Sequence, residues 1–137
     1  MKVHSNKGVT LTELLATTLI TSTTIFSLIG VFVNMSVLNE FNRERTLAVV
    51  HAQHMMEEIK NSYFTGLETA INSGMFNRSA TQLSLAPYNF IPLSNESINT
   101  SIVSAGNPLT IEVRVNWLAR GQSTRSYTLE SLKTNGS

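Results

Sequence analysis

From Leu14 to Asn39 the chain carries no Asp, Glu, Lys or Arg. A bilayer-spanning helix needs about 20 such residues, and few other folds absorb a run of this length. One acidic residue, Glu13, borders the run. It closes the stretch Gly8-Val9-Thr10-Leu11-Thr12-Glu13, and before that stands a short basic leader with Lys2, His4 and Lys7. A carboxylate at the centre of a spanning helix costs about 2.5–3.5 kcal/mol on insertion scales. At the end of the run the cost is smaller, yet Glu13 still needs a reason. The positive-inside tendency holds the Lys2 and Lys7 end in the cytoplasm and sends everything after Asn39 to the far side.

The order of basic residues and apolar run suggests a secretory signal, whose small-residue cleavage site follows the apolar stretch. Around Asn34 to Asn39 there is no such site. The only small residue at a charge transition is Gly8, so cleavage there leaves the apolar run with the mature protein. Thr17, Thr18, Thr21, Ser22, Thr23, Thr24 and Ser27 interrupt the run. Their hydroxyls can bond back to the preceding turn or across to neighbouring helices. Their number reads as a mild hint of helix–helix packing. Gly30 is a weak point, because glycine costs about 1 kcal/mol against alanine in a helix interior.

Residues 40–64 continue the helix without a breaker. Phe41, Ala48, Ala52, Met55, Met56, Ile59 and Tyr63 share one face at helical spacing. Glu40, Arg43, Glu44, Gln53, Glu57 and Lys60 lie mostly off it. A helix over residues 9–64 is about 56 residues long, roughly 84 Å at 1.5 Å per residue. That exceeds what a bilayer needs, so its second half requires something to pack on. Gly66 and Gly74 end the pattern. Residues 66–97 read as an irregular connection with a short helix near Gly66–Asn72 and an extended piece near Phe90–Leu93. Leu109, Ile111, Val113, Val115 and Trp117 then alternate with Thr110, Glu112, Arg114, Asn116 and Leu118, the period of a half-buried strand. Ala119–Ser123 is a turn, Thr124–Leu132 the returning strand, and Ile98–Val103 a third strand joined through Gly106-Asn107-Pro108. The expected fold is α+β: a long helix, apolar around its first half over about 14–39, with its amphipathic half packed on a small antiparallel sheet over about 98–132 in a head of residues 65–137.

Among other signals, His51, His54 and Glu58 fall on one helix face with metal-ligand chemistry, but their ordinary reading is polar surface, and no metal is expected. Met55, Met56 and Trp117 read as core. Arg114, Arg120 and Arg125 are candidates for a local basic patch. With 10 basic and 9 acidic side chains, the chain has no electrostatic footprint for nucleic acid. The absence of cysteine excludes disulfides and thiolate metal sites. No phosphate-binding glycine loop or serine elbow is present, so neither an enzyme nor a cofactor is expected.

Lys7-Gly8-Val9-Thr10-Leu11-Thr12-Glu13 followed by an apolar run resembles the class III signal of type IV pilins and type II secretion pseudopilins, over about the first 60 residues. The stretch Ala48 to Tyr63 and the strand Val113-Arg114-Val115-Asn116-Trp117 are similar to minor pilins and minor pseudopilins of the PilV and GspI type. The resemblance implies a pilin-like fold. It also implies a leader of residues 1–8, removed between Gly8 and Val9 by prepilin peptidase, with N-methylation of Val9. The partners it implies are the peptidase/methyltransferase, other pilins or pseudopilins met through the N-terminal helix, and an inner-membrane assembly platform. The mature chain would wait in the bacterial inner membrane, spanning it once with a periplasmic head, and then enter a pilus or pseudopilus. Removing Lys2 and Lys7 leaves 8 basic against 9 acidic side chains. Most of the family has Phe where this chain has Val9. Gly30 stands where many major pilins have a helix-breaking proline, and the C-terminal cysteine pair of many major pilins is missing. In such a filament Glu13 of one subunit would meet the Val9 ammonium of a neighbour, a buried ion pair that sets axial register rather than net stability. The other reading is a single-pass, signal-anchored protein with a periplasmic binding domain. Such a protein keeps residues 1–8 and tolerates change at Gly8 and Glu13.

Overall fold

The computed structural model describes residues 9–119 and 123–135. The chain is α+β and divides between Glu40 and Phe41 into two units. The helix α1, Leu11–Asn61, supplies all of the described first unit after Thr10 and the opening element of the second. Thr10 starts it: the Glu13 N–H donates to the Thr10 carbonyl at 3.1 Å and faces its Oγ1 at 3.4 Å. A threonine followed three residues later by glutamate is a familiar helix-start signature. α1 runs unbroken through Gly30.

In the first unit every described residue before Glu40 is exposed. α1 is the one helix, among the described residues, long and apolar enough to cross a membrane. The hydroxyls of the run turn inward on their own helix. Thr17 and Thr18 donate to the carbonyls of Leu14 and Leu15 at 2.9 Å, and Thr21 and Thr24 to those of Thr17 and Ile20 at 2.7 and 2.8 Å. Ser22, Thr23 and Ser27 do the same. Of the two options open to these groups, the isolated chain uses the first, an acceptor within one turn.

The second unit is a small layered domain. After α1 come α2 (Leu67–Asn72), β1 (Arg78–Ser79), α3 (Ala80–Ser84), β2 (Ser97–Ser104), β3 (Leu109–Leu118) and β4 (Thr124–Lys133). The four strands form one antiparallel sheet in chain order. Leu109, Ile111, Val113, Val115 and Trp117 of β3 face inward, as period two demands. They pack with Ile98, Ala48, Ala52, Met55, Met56 and Ile59 in one core. Burying an Ile- or Met-sized side chain contributes about 1.5–3 kcal/mol, so the amphipathic half of α1 and the sheet supply each other's missing face.

The structure corrects several expectations. α1 ends at Asn61, not residue 64, and Tyr63 is 91% exposed. The last turn tightens there: the Ser62 N–H donates to the Ile59 carbonyl at 3.1 Å. The Lys133 ammonium donates to the carbonyls of Ile59 at 3.0 Å and Lys60 at 2.8 Å, and to that of Ser62 as well. A cation on the terminal carbonyls suits the negative end of the helix dipole. Beyond this cap the helical spacing no longer applies, and Phe64 rather than Tyr63 packs against the core. The short helix is α2, introduced by Gly66 at φ 83°. Residues 78–84 form a strand and a helical turn where irregular chain was expected. Phe90–Leu93 joins no strand ladder; the Phe90 N–H donates to the Leu83 carbonyl at 2.9 Å. Of the Ala119–Ser123 turn, Arg120–Gln122 lie outside the described residues, and the Ala119 N–H donates to the Ser123 carbonyl at 2.9 Å.

Candidate functional site

Two groups of residues carry more chemistry than packing requires. The first is the start of α1. Gly8 lies outside the described residues. Val9 precedes the helix and is 70% exposed, and Glu13 is exposed in the first turn. A carboxylate in the first turn of a helix is favoured by the dipole, so Glu13 has a local reason to be there besides any intermolecular one. The Thr10-to-Glu13 spacing in the sequence signals this, and reading Glu13 through the membrane cost alone missed it.

The second group lies on the α1 face that carries His51, His54 and Glu58. These side chains were expected as polar surface, but His51 is only 2% exposed. Its Nδ1–H donates to Glu96 Oε1 at 2.7 Å, and the Leu93 N–H donates to Glu96 Oε2 at 2.7 Å. Both carboxylate oxygens of a fully buried side chain are thereby occupied, which a buried charge requires. Phe90 stacks flat on the His51 ring, with centroids 4.7 Å apart, and meets the His54 ring edge-on at 5.0 Å. Glu58 closes a triangle. Tyr88 O–H donates to Glu58 Oε2 at 2.9 Å, Arg78 Nη2–H to Glu58 Oε1 at 3.2 Å, and Arg78 Nε–H to the Tyr88 oxygen at 2.9 Å. Burial raises the pKa of the Tyr88 hydroxyl above its ordinary 10.0; the Arg78 bond pulls it down and the Glu58 carboxylate pushes it up. Burial also lowers the pKa of Lys133 from 10.5.

His51 and Glu58 therefore bond different side chains, Glu96 and Tyr88, and His54 meets the rings of Phe90 and Tyr88 between them. Among the described residues no group of three or more His, Cys, Asp or Glu is placed to hold a metal ion. What the arrangement does is clamp the irregular segment Leu85–Glu96 onto α1 at two carboxylates and three ring contacts. The expected arginine patch is also corrected. Arg114 lies on the outer face of β3, paired with Glu112 at 3.0 Å. Arg125 stands opposite Trp117 on the other face, stacked over Phe41 at 4.4 Å. Alternation along paired strands puts them on opposite sides, and Arg120 is outside the described residues.

Comparison of the chain with protein-family models, with curated proteins and with solved structures finds no match.

Proposed function

We propose that this chain is a pilin-like structural subunit: a minor pilin or minor pseudopilin, cut after Gly8, methylated on Val9, and built into or priming a type IV pilus or type II secretion pseudopilus. The observation that carries the reading is the arrangement around α1. A cleavage-type glycine precedes a helix that carries a glutamate, five residues after that glycine, in its first turn and whose uncharged half is bare, and the same helix continues under a small antiparallel sheet. A helix of that composition needs lipid before assembly and other helices after it. In the assembled state the Val9 ammonium and the Glu13 carboxylate of adjacent subunits pair and fix the register.

The self-bonded hydroxyls of Thr17 to Ser27 favour a second reading as well, since hydroxyls that bond within their own helix also suit a lone lipid anchor. Intact mass of the protein, expressed with and without a prepilin peptidase, separates the two. Loss of residues 1–8 together with gain of one methyl group is the expected result, and an unchanged mass leaves the anchor. Glu13→Leu then tests the register pair. It is expected to be cut normally and to enter filaments poorly, whereas Thr10→Ala, which weakens only the helix start, enters them normally. Equal losses in both variants would assign Glu13 to the helix end.

A further inference from the structure

The groove between the start of the second unit's helix and the β3–β4 hairpin has no place in the reading above. Its volume is about 360 Å³, and Phe41, Arg45, Trp117, Arg125, Ser126 and Tyr127 line it. Glu44, the acidic residue beside it, is already engaged. It accepts the Trp117 indole N–H at 3.1 Å and lies 3.6 Å from Arg125. Arg45 is exposed and makes no ion pair among the described residues. The groove therefore presents one uncompensated guanidinium, hydroxyls from Ser126 and Tyr127, and aromatic walls.

Its place in the chain gives this chemistry a direction. Phe41 and Arg45 follow Asn39, the end of the uncharged run, by roughly 3 and 9 Å of helix rise. The headgroup layer adds about 5–8 Å to each side of the hydrocarbon core. Amphipathic aromatics and reaching arginines gather at that level, and anionic lipids attract basic side chains there.

We infer that this groove binds the phosphate headgroup of an anionic membrane lipid, with Arg45 as the phosphate-binding residue, the half-buried Phe41 and Tyr127 rings against the glycerol and upper acyl region, and Trp117 as the groove's buried floor. The inference rests on the membrane-spanning reading of the apolar run.

Trp117 is the sole tryptophan in the sequence, which makes the groove its own reporter. The full chain is reconstituted into phosphatidylcholine vesicles containing phosphatidylglycerol, with brominated acyl chains on one lipid or the other, and its fluorescence is read. Flotation with the vesicles checks insertion separately; a chain that does not float overturns the spanning reading itself. In floated protein, bromine on phosphatidylglycerol is expected to quench Trp117 more than the same mole fraction of bromine on phosphatidylcholine. Arg45→Ala is expected to lower the relative association constant for the anionic lipid about fivefold, the ordinary contribution of one arginine near such a surface. Arg43→Ala, about 200° around the helix from Arg45 and outside the groove, is expected to keep the preference. Equal quenching by the two lipids overturns the inference, and so does an equal loss in both variants. Loss of the preference on adding inorganic phosphate would reassign the groove to a soluble phosphate and overturn the lipid assignment.

Discussion

Thr18 and Glu44 are both polar side chains on α1, and their partners lie at very different distances along the chain. Thr18 donates to the carbonyl of Leu15, within one turn of its own helix. Glu44 accepts from Trp117, on the third strand of the sheet. The contrast holds for the two units as wholes. Before Glu40 the hydroxyls from Thr17 to Ser27 are satisfied locally and the apolar side chains are bare. After Phe41 the apolar face is buried, and His51, Glu58 and Glu44 reach Glu96, Tyr88 and Trp117. The second unit buries its own apolar face, while the described apolar side chains of the first are exposed. Substitutions in the second unit should therefore be felt in folding, and those in the first in insertion or assembly.

The largest effect is expected at the buried pair. His51→Leu leaves the Glu96 carboxylate buried with one oxygen unpartnered. Breaking such a pair costs about 3–5 kcal/mol, read as a shift in the urea midpoint of the micelle-bound protein. His51→Leu with Glu96→Leu should recover part of that loss. Recovery stays incomplete because the Leu93 N–H then lacks its acceptor. A double variant no better than the single would show that the two side chains act independently.

Next comes a matched pair of core-type truncations. Ile59→Ala empties a site at 0% exposure and should cost the second unit about 2–5 kcal/mol. Ile29→Ala, 55% exposed, should move the same transition by less than about 0.5 kcal/mol. A comparable cost at Ile29 would mean that the first unit has a folding partner within the chain, and the contrast would fail.

What was legible in the sequence follows the same line. α1 and the β3–β4 hairpin were readable because burial on one face imposes a period, and a period can be seen without knowing the partner. The inward positions of β3 and the α1 face from Ala48 to Ile59 were read in this way. The clamp on residues 85–96 was not readable. His51 meets Glu96 only through the fold, and two histidines three apart look the same whether buried or solvated. Tyr63 was misplaced because Lys133, far along the chain, ends the helix before it. Glu13 was legible twice over, as a cost in lipid and as a helix-start residue, and only the first was read.

A smaller effect separates Tyr88 and Lys133 of the second unit. Tyr88 keeps its proton above 10.0 in the folded state, so the stability it contributes is present below pH 10 and is lost as pH rises through the folded value. Lys133 has the opposite sign. Its folded pKa lies below 10.5, the unfolded chain binds that proton more tightly, and stability rises with pH across the interval up to 10.5. Tyr88→Phe should therefore remove the loss above pH 10, and Lys133→Met should remove the rise below 10.5. Both slopes are read from urea midpoints taken against pH. An unchanged profile in Tyr88→Phe would mean that its hydroxyl titrates alike in both states.

The smallest effect is expected in the first unit and bears most directly on what surrounds it. Thr18→Val preserves the shape of the side chain and removes a hydroxyl whose hydrogen bond to Leu15 lies within its own helix. If α1 before Glu40 satisfies itself, the substitution should leave flotation with vesicles unchanged and alter incorporation into filaments by less than about twofold, since a bond across helices in lipid is worth on average about 0.6 kcal/mol and none is lost here. Thr21→Val and Thr24→Val should behave alike, because Thr17 and Ile20 supply their acceptors in the same way. A large loss confined to one of the three would show that this hydroxyl exchanges its own-helix acceptor for a neighbour's on assembly. The helix face bearing it would then be the one that meets the next subunit.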